Sequence, residues 1–234
     1  MQRKQCEITD PKKIQRILDT TNIGRLATNG ADGYPYITPV NFVYHQGNIY
    51  FHCAPRGEKL QNLERDARVC FTVDIPLAYL DSTFDAERRI KGLGQLYHCV
   101  IIRGEARVVP DGPLKVAVLN ALVAKHEKSS GHELVNEDMP NCYGACKVVG
   151  IKPASVSAKS QLCQTRSPEE QSAIARYLTS RDRPGDLETV RAMGFGKAQE
   201  SQARQISLEV DFARLEPTAG TPMLVVGGLG GIND

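Results

Sequence analysis

Short apolar segments separated by glycine-containing turns fill the first third of the chain. The pairs Asn29-Gly30, Asp32-Gly33 and Gln46-Gly47 divide three of these segments. Glycine supplies the positive φ angles that tight hairpins require, so the pattern predicts successive antiparallel strands. A glycine inside a later segment, Gly104, indicates a bulge or a close approach by a ligand. The predicted strands cover residues 24–28, 33–44, 48–54, 68–74, 96–109 and 146–156.

Polar caps in front of regularly spaced apolar residues predict helices around these strands. Asp10-Pro11 places an aspartate at an N-cap and a proline at the first helical position, and Ile14, Ile17 and Leu18 then fall on one face. Further helices are predicted to begin at Gly57, Pro113, Ser167 and Leu187.

The character of the chain changes after about residue 160. Residues 1–160 are predicted to form one mostly-β domain, a small barrel with peripheral helices. Residues 161–234 are predicted to be a small α/β C-terminal extension, with helices followed by a strand in which the apolar residues of 206–212 alternate. Residues 76–94, which are polar at their centre, are expected to form a long loop.

Composition excludes several classes of function. The net charge is +2 and basic residues are not clustered with aromatic ones, so a nucleic-acid partner is not expected. No segment approaches the ~20 apolar residues that span a bilayer, and residues 1–7 are too polar for a signal peptide, so we expect a cytoplasmic protein without a membrane partner. Seven cysteines are then expected to be free thiols.

A phosphate site is indicated at the start of the helix near Gly57. Arg56 and Lys59 flank this glycine directly after a predicted strand. The N-terminus of a helix, with its free N–H groups and positive dipole end, favours an anion, and neighbouring cations strengthen that preference. The alternative is a solvated helix start that carries two surface cations.

Several segments, in this order and spacing, resemble the pyridoxine 5'-phosphate oxidase-like split-barrel flavoproteins, and most of all their nitroimidazole-resistance branch. The resemblance covers residues 1–160 and is carried by Gly24-Arg-Leu-Ala-Thr28, Pro39-Val-Asn-Phe-Val-Tyr44, Tyr50-Phe-His-Cys-Ala54 and the pair Gly57 and Lys59. It implies an FMN-binding split β-barrel, and a homodimer with FMN at the subunit interface. True pyridoxine 5'-phosphate oxidase activity is not expected, because that enzyme's Trp-containing C-terminal segment has no counterpart in a chain without Trp.

The same resemblance assigns residues to the cofactor. It places the phosphate at Arg56 and Lys59 and lays the strand from Pro39 along the flavin. His52, where the related oxidases carry a small hydroxyl residue, would contact the cofactor or a substrate, unless it is a hydrogen-bonded core histidine. Cys99 occupies a position at which many relatives carry a small polar residue, and a thiol is a weaker hydrogen-bond partner for the flavin than a hydroxyl. The implied cofactor-binding residues are Arg25, Thr28, Pro39, Val40, Asn41, Phe42, Val43, Phe51, His52, Arg56, Lys59 and Cys99.

The expected function is FMN-dependent oxidation or reduction of a small molecule, with a nitroaromatic compound as the substrate that the resemblance implies. The alternatives are a non-catalytic flavin carrier or sensor and a haem-binding split barrel. No residue is assigned as a catalytic acid or base. His126, His132, Cys142 and Cys146 have spacings that fit no standard zinc site, so a metal is not expected.

Overall fold

A computed structural model describes residues 3–85, 87, 90, 92–127, 129 and 131–196. The β-strands of this part of the chain are β1 (Ile23–Asn29), β2 (Pro35–His45), β3 (Asn48–Cys53), β4 (Arg68–Leu80), β5 (Gly94–Val108) and β6 (Lys147–Gln161). Its α-helices are α1 (Pro11–Thr20), α2 (Glu58–Arg65), α3 (Pro113–His126), α4 (Pro168–Arg181) and α5 (Asp186–Ala192). None of the helices in these ranges is long and apolar enough to cross a membrane.

The six strands close into an antiparallel barrel in the order β1-β2-β3-β6-β5-β4. The predicted turn at Gln46-Gly47 joins β2 to β3, and both residues have the positive φ angles that a tight hairpin requires, 48° and 80°. The mostly-β split barrel with peripheral helices predicted from the sequence is therefore confirmed.

Large apolar side chains fill the barrel interior. Phe42, Phe51 and Phe71 are fully buried, and the rings of Phe42 and Phe71 meet edge to face with their centroids 5.0 Å apart. Ile17 and Leu18 of α1 and Leu60 and Leu63 of α2 join the same core. Because the interior is packed with side chains, a ligand the size of a flavin has to bind outside the barrel.

The bulge predicted at Gly104 is present between Arg103 and Gly104. A Cβ atom at Gly104 would lie 2.1 Å from the carbonyl oxygen of Lys152 on β6. The group that approaches this glycine is therefore the backbone of the neighbouring strand and not a ligand, and any other residue would push the two strands apart.

The prediction of a loop over residues 76–94 is wrong at both ends, which belong to strands β4 and β5. β4 continues to Leu80 and pairs with β5 up to Leu80 opposite Gly94, after a register shift between Pro76 and Tyr79. The strand persists because Ala78 and Leu80 are buried against Ile174 and Leu178 of α4 and Val190 of α5. Neither that contact nor the register shift between Pro76 and Tyr79 can be predicted from the local sequence.

An ion-pair network joins helices α4 and α5 of the C-terminal extension to the hairpin formed by the ends of β4 and β5. Asp186 is fully buried and accepts hydrogen bonds from Arg181 Nε at 2.8 Å and Nη2 at 2.5 Å. Arg181 Nη1 reaches Asp81, at the end of β4, at 2.9 Å. The predicted capping box of Ser167 and Glu170 starts α4 as expected, whereas the strand predicted within residues 206–212 lies outside the described residues.

Candidate functional site

The start of α2 is a helix N-terminus without a cap. Gly57 precedes the helix with a φ of 141°, a backbone conformation that favours glycine, and no side chain accepts a hydrogen bond from the first turn. The first N–H groups of a helix have no partner within the helix. These donors are therefore available to an anion, which is the property that the sequence predicted for this position.

Two cations flank this helix start. Arg56 is exposed and Lys59 is half-buried, and neither forms an ion pair with another described residue. Burial raises the pKa of the Cys53 thiol at the end of β3, and the positive charge of Lys59 opposes that rise. The Lys59 ammonium group therefore lies near the end of β3, and its charge is not neutralised by a described carboxylate.

The strand that the resemblance lays along the flavin presents two different faces. Val40 and Phe42 point into the barrel core, and Val43 is buried against α3. The carbonyl oxygen of Phe42 accepts a hydrogen bond from His126 Nε2 at 3.1 Å. Within residues 39–44, Pro39 and Asn41 are the two residues with exposed side chains.

β3, like β2, has buried side chains that face the core and an exposed side chain on the outer face. Phe51 faces the core with no exposure, whereas His52 is exposed, and it makes no hydrogen bond or ion pair within the described part of the chain. The register that pairs Phe42 with Phe51 brings Asn41 opposite His52 when it is continued by one residue. His52 is therefore not a hydrogen-bonded core histidine, and its imidazole and the Asn41 amide lie on the same outer face.

The remaining predicted residues differ in how accessible they are. Arg25 is on the outer face, where its guanidinium forms an ion pair with Asp74 at 2.5 Å. Cys99 is half-buried on this face, with its sulfur 3.7 Å from the Thr72 hydroxyl. Thr28 points into the barrel and is almost fully buried, so its side chain is not available to a ligand outside.

The outward-facing side chains of β2, β1, β4 and β5 form a surface that no described helix covers, and it surrounds the ion pair of Arg25 and Asp74. We call it the open face, and define it by Ile23, Ile37, Thr72, Cys99 and Ile101. Ile37 is 62% exposed, Ile23 51% and Ile101 38%. Cross-strand pairing of Arg25 with Thr72, and of Thr72 with Ile101, places them on one side of the barrel. These isoleucines were not predicted as site residues, although the alternation of exposed and buried positions along each strand is a signal that could have identified them.

No group of three or more His, Cys, Asp or Glu side chains in the described ranges is arranged to hold a metal ion. Of the residues considered for such a site, His126 donates to the Phe42 carbonyl, and the Cys146 thiol donates to the carbonyl of Cys142 at 3.1 Å. These two side chains are therefore engaged with backbone groups.

The comparison with solved structures gives the same fold. A Bacteroides thetaiotaomicron protein assigned to 5-nitroimidazole antibiotic resistance is 20% identical over 65% of this chain and 85% of its own, with a TM-score of 0.55. The flavocytochrome Anf3 of Azotobacter vinelandii is 20% identical over 71% of this chain and 75% of its own, with a TM-score of 0.53. The FAD and haem binding protein of Mycobacterium smegmatis is 17% identical over 71% of this chain and 78% of its own, with a TM-score of 0.55.

At these identities the similarity establishes the fold alone, and no curated protein matches the chain. The family assignment comes from a sequence model. The model of the pyridoxamine 5'-phosphate oxidase family matches residues 10–160. That range begins at the N-cap of α1 and ends one residue before the end of β6. Because the match takes in all six strands and the uncapped start of α2, this chain belongs to the pyridoxamine 5'-phosphate oxidase family.

Proposed function

We propose that this protein is an FMN-dependent oxidoreductase that acts on a small molecule, and that it binds FMN with the phosphate at the start of α2. The observation that carries the proposal is the uncapped helix start with its two unneutralised cations, Arg56 and Lys59. A phosphate there would accept hydrogen bonds from free N–H groups and gain charge-assisted bonds from both side chains.

The residues around this position fit the rest of the cofactor. The exposed side chains of Pro39 and Asn41, and the backbone between them, provide an edge along which the flavin ring can lie. The buried side chains of Val40, Phe42, Val43 and Phe51 would support this edge from behind rather than touch the ring. Arg25, which is already paired with Asp74, would contribute least.

A second copy of the chain would complete the site. The barrel interior has no room for the ring, and a flavin on the outside of one subunit would leave one side in water. The open face exposes three isoleucines on one side of the barrel, and exposed apolar side chains that share a surface favour a protein–protein contact there. We therefore propose a homodimer joined through the open face, with FMN between the subunits.

Bound FMN would supply the electron transfer itself. The protein would fix the phosphate, orient the ring along β2 and exclude water through the dimer contact. A nitroaromatic compound is the proposed electron acceptor, in line with the structural similarity to the 5-nitroimidazole resistance protein. His52 lies beside Asn41 on the same face and is the titratable side chain best placed to meet the cofactor or the acceptor.

The absorption spectrum of the purified protein tests the proposal. We expect a flavin band at about 450 nm that a nicotinamide donor bleaches and a nitroaromatic compound restores, because the cofactor carries the redox chemistry. FMN that no such donor reduces would favour a flavin carrier or sensor. A Soret band at about 400 nm without a flavin band would show a haem-binding barrel instead and would overturn the proposal.

Replacing His52 with alanine is expected to change the flavin spectrum or the rate of flavin reduction while leaving the apo-protein intact. The side chain is exposed and forms no hydrogen bond within the described residues, so its loss should change the free energy of unfolding by less than about 0.5 kcal/mol. Thermal unfolding of the apo-protein and reduction kinetics of the holo-protein measure the two effects. A flavin that responds as in the wild type would remove His52 from the site.

A further inference from the structure

A buried polar contact joins α2 to the barrel. Asn62 and Thr28 are 1% and 2% exposed. Asn62 Nδ2 donates to Thr28 Oγ1 at 3.0 Å, and Asn62 Oδ1 accepts from Arg65 Nη2 at 2.9 Å. The Thr28 hydroxyl in turn lies 3.5 Å from the carbonyl oxygen of Tyr36 on β2. A buried amide without partners is costly, so these contacts hold the Asn62 side chain in one orientation.

This contact controls how α2 is rotated. The helix has eight residues, about two turns, and its buried apolar anchors are Leu60 and Leu63. Nη2 of Arg65 also donates a hydrogen bond to the carbonyl oxygen of Asn29 at the end of β1. Apolar contacts are not directional, whereas hydrogen bonds are. The bond from Asn62 to Thr28 is the buried one of the two, and it fixes the inner side of the helix against β1. Lys59 precedes Asn62 by three residues and lies on the same side of the helix, so the bond also sets where the Lys59 ammonium group is held.

We infer that Thr28 and Asn62 are positioning residues for the phosphate site. They hold α2 so that its free N–H groups and Lys59 converge on one point, and neither touches the phosphate. This inference rests on the proposed FMN site and changes the role of Thr28. The resemblance made Thr28 a direct ligand, whereas its hydroxyl is engaged by Asn62 inside the barrel.

Comparing the affinities for FMN and for riboflavin distinguishes a change in the position of α2 from a general loss of stability. Riboflavin carries the same ring and ribityl chain without the phosphate, so its affinity does not depend on the start of α2. A change that merely loosens the barrel would weaken both ligands equally. A change that moves the start of α2 would weaken FMN and spare riboflavin.

The test is fluorescence titration of the full-length protein with both flavins. Thr28→Val keeps the shape of the side chain and removes the hydroxyl. We expect FMN affinity to fall about five-fold, the value of one hydrogen bond, with riboflavin affinity unchanged. Thr28→Ser, which restores the hydroxyl, should recover the wild-type ratio of the two affinities. In a Lys59→Ala background the same Thr28→Val change should weaken FMN binding less than it does in the wild type, because the contact then positions only the free N–H groups.

The double variant Thr28→Val/Asn62→Leu removes the bond without leaving the Asn62 amide buried and unpaired. It replaces Thr28→Val in the titration if that single variant does not fold. It should show the same loss of FMN preference. Equal weakening of both flavins, or no weakening of FMN, in a folded variant would overturn the inference. A wild-type protein that binds riboflavin as tightly as FMN would instead overturn the phosphate site itself, and the role of Thr28 and Asn62 with it.

Discussion

Replacing both Arg56 and Lys59 with alanine is expected to weaken FMN binding by about a hundred-fold or more. A hydrogen bond to a charged group contributes about 1.5–3 kcal/mol, so the loss of two such bonds costs about 3 kcal/mol at least. Neither side chain has an ion-pair partner among the described residues, so their removal breaks no other described ion pair. The stability of the apo-protein should stay the same.

Fluorescence titration with FMN and with riboflavin measures the effect, and riboflavin affinity should not change. Lys12→Ala is the matched control, because Lys12 is an exposed cation in the first turn of α1, and α1 is already capped by Asp10. If the double variant binds FMN as tightly as the Lys12 control does, the phosphate is bound elsewhere and the central observation behind the proposed function fails.

The double substitution Ile37→Glu/Ile101→Glu is expected to turn the proposed dimer into a monomer and to release FMN. Both isoleucines are on the open face, and an interface built on a two-fold axis would bury each of them twice. A carboxylate buried without a partner is strongly unfavourable, so four new charges should prevent association. Each isoleucine is already partly exposed in the single subunit, so the barrel itself should still fold.

Sedimentation velocity at low protein concentration, with absorption detected in the flavin band, measures subunit assembly and cofactor together. Leu134→Glu is the control, since Leu134 is 66% exposed but follows α3 rather than lying on the open face. A wild-type monomer that carries one FMN per chain would contradict the proposed dimer. So would a double variant that remains a dimer.

Local signals in the sequence were enough for much of the fold. The turn at Gln46-Gly47, the N-cap at Asp10 and the capping box at Ser167 each depend on a few adjacent residues, and each is present where it was predicted. The register of the hairpins then follows from the turns and from which side of each strand is apolar. Such features need no knowledge of distant parts of the chain.

Features that depend on distant contacts were missed. The end of β4 contains Pro76 and a bulge and looks irregular on its own, yet it remains a strand because α4 and α5 bury Ala78 and Leu80. The same limit applies to the site. The family resemblance implied that Thr28 contacts the cofactor, whereas the side chain faces the barrel interior, and this direction follows from the closed barrel rather than from residues 24–28. The pairing of Arg25 with Asp74 likewise depends on tertiary structure.

The hairpin formed by the ends of β4 and β5 bears on where this protein can be cut. The family match ends at residue 160, but the side chains of Ala78, Leu80 and Leu96 are covered by helices that follow it. A protease or a stop codon acting there would expose an apolar strand tip and leave Asp81 without Arg181. We therefore expect a fragment that stops at residue 160 to aggregate, whereas one that continues past Phe195 retains the cover over the hairpin.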